Sequence, residues 1–233
     1  WVTLPLAFVA ALACGWLIER LFFARLLGES VFSMVMVTIG LVILIRGVVL
    51  VVWGASDRQF PALLPTMPLI VGELIIATPL LIGAGLTLVL TLSLWWFFNR
   101  TRQGLALTAV AEDPQTAISM GIPVKRAVTL AWMLGACIAT VGAIVFLNGR
   151  SLNVQSADVA LAALPVALLA GLESIGGLML AGAIVGVVQS LVAAYVDPKL
   201  GGSASSIVPF LFMLVILSVR PTGLFGWRTI ERV

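Results

Sequence analysis

The chain has 233 residues, of which 61% are hydrophobic and only 10% are charged, and its net charge at pH 7 is +3. Soluble domains carry about 25% charged residues and a chain of this length exposes much of its surface, which argues against a water-soluble protein. The basic residues are scattered between apolar segments and form no patch, which argues against a nucleic-acid-binding protein. The sequence therefore predicts a chain embedded in a lipid bilayer.

The apolar segments are long enough to cross a membrane, because a bilayer core of about 30 Å needs roughly 20 helical residues. We predict an all-α, polytopic transmembrane bundle that forms a single domain over residues 1–233. The fifth of its seven segments is too short for a simple span. The predicted segments are Trp1–Ile18, Val31–Gly54, Pro79–Phe98, Val128–Leu147, Ala157–Gly171, Ile175–Val196 and Ala204–Val219.

Lysine and arginine are concentrated in alternate loops, which predicts the orientation of the chain. The opposite loops contain only Arg58, Arg150 and Lys199. Cytoplasmic loops carry the excess of basic residues, so the richer set and the C-terminus are expected in the cytoplasm. The richer set consists of Arg20, Arg25, Arg100, Arg102, Lys125, Arg126, Arg220, Arg228 and Arg232.

Two places interrupt the apolar pattern. Arg46 lies inside the second predicted span, where it either snorkels or pairs with a neighbouring group, or else lines a transport pathway. The stretch Gln59–Thr78 contains three prolines and cannot form one helix. We expect it to be an extended external segment that can contact a partner outside the cytoplasm.

The cytoplasmic loop Asn99–Ala127 carries signals for two short helices. Asp113 is a typical N-cap before Pro114, and Gly121 is placed as a left-handed residue that ends the helix, so Pro114–Met120 is predicted to be helical. Gly104–Ala111 is a second short helical stretch. Helices this short need a surface to dock on, which is either the rest of this subunit or another protein.

The same loop, "RTRQGLALTAVAEDPQTAISMGIPVKR", resembles the cytoplasmic signature of branched-chain amino acid ABC transporter permeases. The ending "VRPTGLFG" also matches that family, and "WRTIERV" resembles the tail of the H-type of its two permease subunits. The chain differs from the family pattern at Thr108, Ala170, Glu173, Gly176 and Gln189. Members carry further helices before this point, so the resemblance implies that N-terminal helices are missing here.

The resemblance implies that the loop is a coupling element, in which Ala117 belongs to a small-residue face that fits closely into a groove on a separate ATPase subunit. No G-x-x-x-x-G-K-[ST] motif occurs in the sequence, so ATP and Mg²⁺ are expected on that partner, and this chain is expected to bind no cofactor or metal and to be no enzyme. The residues assigned to ATPase coupling are Arg100, Thr101, Arg102, Gly104, Ala109, Ala111, Glu112, Asp113, Pro114, Ala117, Gly121 and Ile122.

The implied assembly lies in the bacterial inner membrane. It contains ATPase subunits, a second permease subunit that is either related or identical, and a periplasmic or extracellular substrate-binding protein. The implied substrate is a branched-chain amino acid, while another amino acid, an amide, urea or an aromatic acid stays open.

A broken helix near Ala157–Gly177 is the candidate substrate pathway, because helix ends offer free N–H and C=O groups to a zwitterion. The same glycines and proline also suit plain helix packing, and both interpretations stay open. The residues assigned to the pathway are Arg46, Pro165, Gly171, Ser174, Gly176 and Gly177.

An ion-coupled secondary transporter is the alternative function. Such proteins hold titratable groups inside the membrane, and the predicted spans contain no well-buried Asp or Glu. A membrane-embedded enzyme would need a catalytic constellation, which a chain without histidine and with its carboxylates mostly in loops does not offer.

Overall fold

A computed structural model of the chain describes residues 3–26, 30–65, 67–71, 74–171, 174–220 and 223–225, with the backbone alone at positions 31, 71, 74, 75, 154, 155, 158 and 159. The chain divides into two compact units, Trp1–Val154 and Gln155–Val233. Each unit is built almost entirely from α-helices, as the composition predicts.

The described residues of the first unit form six α-helices and two very small antiparallel sheets. A π-helical turn at Glu19–Phe23 continues its first helix. Its helices are α1 (Thr3–Ile18), α2 (Val31–Trp53), α3 (Thr78–Arg100), α4 (Arg102–Glu112), α5 (Pro114–Ser119) and α6 (Val124–Leu147). Its strands are β1 (Arg58–Gln59), β2 (Leu69–Val71), β3 (Leu74–Ile76) and β4 (Ser151–Leu152), paired β1 with β4 and β2 with β3.

Close helix packing in the first unit depends on glycine. A Cβ atom added to Gly15 of α1 would lie 2.7 Å from the carbonyl oxygen of Trp132 in α6, so the two backbones approach each other closely there. The ring of Phe23 lies 4.3 Å from that of Trp132 and extends the same contact. On α3, a Cβ at Gly83 would meet Val145 of α6 at 2.6 Å. Helix α6 thus packs against α1 and α3 of this unit, and also against α4 and α5.

The second unit has its own apolar core. The buried side chains of Leu169, Ala181, Val185 and Val208 form this core together with Ala170. The second unit contains α7 (Asp158–Ala170), α8 (Ile175–Tyr195), α9 (Asp197–Leu200) and α10 (Val208–Val219), with 3₁₀ turns at Val154–Ala157 and Ala204–Ile207. Helices α7, α8 and α10 pack against one another around the core.

The prediction of an all-α fold is confirmed, and the observed helices give the lengths of the candidate spans. Among the described residues, five helices are long and apolar enough to cross a membrane, and two shorter apolar helices accompany them. The five long helices are Thr3–Phe23, Phe32–Trp53, Thr78–Arg100, Val124–Leu147 and Ile175–Tyr195, and the shorter ones are Ala160–Ala170 and Ala204–Val219. The predicted loop Asn99–Ala127 shrinks to 101–123, because α3 and α6 both continue beyond their apolar stretches.

The prediction that the spans contain no well-buried Asp or Glu is wrong. Glu19 is only 4% exposed, although the sequence suggested that no carboxylate is well buried within a span. The helix that begins at Thr3 does not stop at Ile18 but continues through the π-helical turn to Phe23. Glu19 therefore lies inside the first candidate span instead of in a loop.

Candidate functional site

The segment between α3 and α6 is folded by hydrogen bonds between near neighbours. Thr101 is the N-cap of α4, since its Oγ1 accepts a hydrogen bond from the Gly104 N–H at 3.0 Å and donates one to the Phe97 carbonyl at 2.7 Å. A Cβ atom at Gly104 would lie 2.1 Å from the Phe97 carbonyl oxygen. The chain can therefore turn directly from α3 into α4 only with glycine at this position.

The next helix, α5, begins at Pro114 with Asp113 as its N-cap, as the sequence predicts. Asp113 Oδ1 accepts hydrogen bonds from the N–H groups of Gln115 and Thr116 at 2.9 and 3.2 Å, and its Oδ2 accepts one from Thr116 Oγ1 at 2.6 Å. The Thr116 hydroxyl, followed by the two N–H groups, lowers the pKa of Asp113 below its ordinary value. The carboxylate thus stays ionised at neutral pH and keeps capping the helix.

The end of α5 is also as predicted, with one residue fewer in the helix. Gly121 has a φ of +80°, the N–H of Gly121 donates to the Ile118 carbonyl at 2.9 Å, and the N–H of Ile122 donates to the Ala117 carbonyl at 3.0 Å. This nested pair of bonds is the Schellman motif, which favours glycine at the left-handed position. Both ends of α5 are therefore fixed by the local sequence.

The loop has one buried side and one exposed apolar side. Leu107, Val110 and Ala117 are buried, and α4 and α5 both pack against α6. Ala117 is only 2% exposed, so the expectation that it faces a partner's groove is corrected: its small side chain fits within its own subunit. The large apolar side chains that do reach the surface are Leu105, Ile118 at 62% and Met120 at 78% exposed.

Most other residues assigned to coupling lie at the surface of the loop. Thr101, Ala109 and Ile122 are half-buried, and Gly104 is buried in the turn. The structure thus brings the assigned residues together in one compact element, and their role in coupling stays a prediction. The exposed ones are Arg100, Arg102, Ala111, Glu112, Asp113, Pro114 and Gly121.

At the opposite end of α3 and α6, the segment between α2 and α3 is held by distant parts of the chain. Asn148, the residue that follows α6, accepts hydrogen bonds through its Oδ1 from the N–H groups of Leu63 and Leu64 at 2.7 and 2.9 Å. Strand β1 pairs with β4, and the Phe60 N–H donates to the Arg150 carbonyl at 3.0 Å. We call this set of contacts, between residues 58–64 and 148–152, the clasp.

The remainder of that segment exposes apolar side chains. Strands β2 and β3 form a hairpin, and the hydroxyl of Thr78 at the start of α3 donates to the Met67 carbonyl. Met67 is 83% exposed, and Leu69 and Ile70 are exposed as well. The prediction that Gln59–Thr78 is not one helix is confirmed.

The predicted helix break lies between α7 and α8. Gly171 ends α7 with a φ of +89°, and Ser174 caps α8, since its Oγ accepts a hydrogen bond from the Gly177 N–H at 3.0 Å. Pro165 is fully buried inside α7. Gly176 is exposed on α8 and has open space around it. A helix ends and another begins here, as the sequence predicts. The role of this break in lining a substrate pathway stays a prediction.

The C-terminal residues of the described chain supply a packing reason for Gly177 of the break and for Gly223 of the tail. The N–H groups of Leu224 and Phe225 donate to the carbonyls of Leu169 and Ala170 at 2.8 and 3.0 Å, so residues 223–225 cap the end of α7. A Cβ at Gly177 would lie 2.8 Å from Phe225, and a Cβ at Gly223 would lie 2.7 Å from the Gly171 nitrogen. Small residues are required here for the tail to reach the helix.

Arg46 is far from that break in the sequence and belongs to the first unit, whereas the break belongs to the second. It is half-buried on α2, a helix that packs only sparsely against the other described elements. Its assignment to a pathway stays a prediction.

Two residues that the sequence analysis did not single out are prominent in the structure. Asn148 joins segments that lie more than 80 residues apart, and no local motif marks it. Glu19 is buried in the π-helical turn. A polar residue directly beyond a long apolar run is the signal that both share, and it is too common to identify either one.

Comparison with known proteins places these observations in one family. The family described as "Branched-chain amino acid transport system / permease component" matches residues 1–217. The high-affinity branched-chain amino acid transport system permease protein LivH of Salmonella typhimurium is 28% identical over 251 residues, covering 100% of this chain and 78% of its own. The corresponding protein BraD of Pseudomonas aeruginosa is 28% identical over 256 residues, covering 99% and 78%.

A relative that is named for another solute also matches. The autoinducer 2 import system permease protein LsrC of Shigella flexneri is 28% identical over 193 residues, which cover 80% of this chain and 53% of its own. No solved structure matches the chain.

Proposed function

Since the chain belongs to the branched-chain amino acid transport permease family, we propose that it translocates branched-chain or related amino acids into the cell as one half of an ATP-driven importer's pore. Its relatives LivH and BraD, matched over nearly the whole chain, are named for branched-chain amino acid transport. LsrC, which is also similar to this chain, is named for import of autoinducer 2 instead. The full-length match to the two amino-acid permeases is the observation that carries the proposal.

The α4–α5 segment is the part of this chain that couples it to separate ATPase subunits, which bind ATP and Mg²⁺. Its fold supports this role, because the element is short, rigidly capped at both ends of α5 and packed on α6. Its exposed apolar side chains, Leu105, Ile118 and Met120, are the natural anchors for a partner's groove. Buried Leu107, Val110 and Ala117 hold the element to its own subunit instead.

Replacing both anchors at the end of α5, Ile118→Ser with Met120→Ser, tests this coupling surface. We expect leucine uptake and ATPase stimulation in the assembled importer to fall by about tenfold or more, as for truncated anchors at other protein interfaces. Insertion into the membrane should be unchanged, because both side chains are largely exposed. Uptake is measured in vesicles with labelled leucine, and competition by unlabelled valine and isoleucine tests the substrate class.

The matched control is Gln103→Ser, which changes an exposed polar residue of α4. Normal uptake by the double variant would make α4–α5 a plain connector. Leucine uptake that neither valine nor isoleucine reduces would contradict the substrate assignment.

The orientation follows from the distribution of basic residues. We place α4–α5 in the cytoplasm, and the segment between α2 and α3 on the outer face with the C-terminus inside, in a bacterial inner membrane. The hydrogen bonds of Asn148 support one aspect of this topology, because they require residues 63–64 and the end of α6 to lie on the same side of the membrane. The exposed Met67, Leu69 and Ile70 then offer a surface to a substrate-binding protein outside the cell membrane.

Cysteine labelling tests this orientation. Ser56→Cys and Ser119→Cys are made in a background that carries Cys14→Ala and Cys137→Ala, since both native thiols are free. Both serines are exposed. We expect a membrane-impermeant maleimide to label position 56 but not 119 in intact cells. The reverse pattern would invert the topology.

A further inference from the structure

The two candidate docking surfaces of the first unit are connected by one helix. Helix α6 has 24 residues, which corresponds to a length of about 36 Å. Helices α4 and α5 precede α6 in the chain and pack against it, and α6 also packs against α1 and α3. Directly after its last turn comes Asn148. A helix packed over its length moves as one body, so a displacement of one end reaches the other.

The clasp fixes the outer segment to this helix. Two hydrogen bonds of the clasp are accepted by a single oxygen atom of Asn148. The others are those of the β1–β4 pair and the bond from the Phe60 N–H to the Arg150 carbonyl. Gly149, with a φ of +68°, turns the chain between Asn148 and Arg150 so that both can face residues 60–64. Apart from the hairpin β2–β3 and the bond from Thr78 to Met67, the described part of the outer segment is held mainly by these contacts.

We propose that Asn148 is a positioning residue that transmits the docking of a substrate-binding protein to the ATPase-coupling loop. It holds residues 58–64 against the end of α6, so that a partner bound to the outer segment displaces α6 and, with it, α4 and α5. This inference rests on the proposed function. It requires the clasp to stay closed while the importer works, because an open clasp would leave the outer segment to move alone.

The chemistry of Asn148 defines the test. Only its Oδ1 takes part in the clasp, while its buried Nδ2 makes no hydrogen bond to the described residues. A carboxylate keeps an acceptor oxygen in the place of Oδ1, which can accept both hydrogen bonds, and lacks that amide donor. Asn148→Asp should therefore preserve the clasp, and Asn148→Leu, which is similar in size and has no acceptor, should remove two of its bonds.

The experiment uses the full importer with its ATPase subunits and a leucine-binding protein. In Asn148→Leu we expect basal ATP hydrolysis to be unchanged and its stimulation by the loaded binding protein to fall at least fivefold. The dissociation constant of the binding protein should change less than the stimulation does. Asn148→Asp should keep stimulation within twofold of the unmodified chain. A merely structural role would lower basal and stimulated hydrolysis together.

A disulfide across the clasp provides a second, independent variant. Gln59 and Ser151 are directly opposite each other in the β1–β4 pair, which brings their Cα atoms within the range that a disulfide spans. Gln59→Cys with Ser151→Cys, in the background that lacks Cys14 and Cys137, should restore stimulation to Asn148→Leu when oxidised and lose it again when reduced. The same disulfide alone should leave stimulation intact.

The outcomes distinguish a failure of the proposed function from a failure of the proposed role of Asn148. If the unmodified importer shows no ATPase stimulation by a binding protein, the proposed function fails. If it is stimulated and Asn148→Leu is stimulated equally, the role of Asn148 fails. If the oxidised disulfide blocks stimulation in the unmodified background, the clasp has to open during transport, which also overturns the inference.

Discussion

The two ends of α3 lead into connections that are stabilised in different ways. At one end, the caps of α4 and α5 join residues that lie no more than five positions apart. At the other end, the clasp joins residues 58–64 to residues 148–152, with Asn148 bonded to Leu63 and Leu64 across more than 80 residues. The hydrogen bonds of the first connection therefore depend only on its own residues and the end of α3, although its helices still pack against α6. The second requires α3 and α6 to be in place.

This difference determines how each connection responds to mutation. A local connection distributes its stability over several separate caps, so that the loss of one leaves the others intact. The clasp relies on one side-chain oxygen for two of its hydrogen bonds. We therefore expect graded effects in α4–α5, depending on how tightly the altered position is packed, and a fall in stimulation of at least fivefold from the single change Asn148→Leu.

The largest effect within the local connection is expected at Gly104. In Gly104→Val, the Cβ atom would overlap the backbone at Phe97 and Phe98, at 2.1 and 2.6 Å, and backbone cannot move aside as a flexible side chain can. The resulting strain should cost about 3 kcal/mol or more and separate α4 from α3. We expect rapid trypsin cleavage in the segment and loss of leucine uptake, both measured in inside-out vesicles.

Gly85→Val is the matched control for that variant. It makes the same change on α3, where an added Cβ meets nothing within 4 Å. Uptake by Gly104→Val that equals uptake by the control would contradict the tight turn between α3 and α4.

A smaller effect is expected at Gly121, where space is not limiting. No atom lies within 4 Å of a Cβ added there, so Gly121→Val is opposed only by its φ of +80°. That conformation costs a residue with a side chain about 1–2 kcal/mol. We expect the end of α5 to fray in Gly121→Val and ATPase stimulation to decrease two- to fivefold. Because asparagine tolerates the left-handed region, the stimulation of Gly121→Asn should be intermediate between those of the valine variant and the unmodified chain. Equal stimulation in all three would mean that the Schellman motif is dispensable.

The same contrast explains which features could be predicted from the sequence. Helices composed of long apolar runs, the Asp113 cap and the left-handed Gly121 each depend on residues within one or two turns, so their pattern is visible in the sequence. The Ala117 environment was not visible, because a small residue on a short helix fits equally well against its own subunit or a partner. Asn148 and Glu19 gained their surroundings from segments far away in the chain. Family resemblance supplied the function, which no single pattern of residues could.

The tail that caps α7 has a consequence for the order in which the protein is made. The carbonyls of Leu169 and Ala170 receive their hydrogen bonds from Leu224 and Phe225, which are synthesised only after α8 and α10. Until then, the end of α7 must be solvated by water or by lipid headgroups. The end of α7 thus obtains its cap only after residues 223–225 have been synthesised, so a chain interrupted before residue 223 keeps the carbonyls of Leu169 and Ala170 without these two hydrogen bonds.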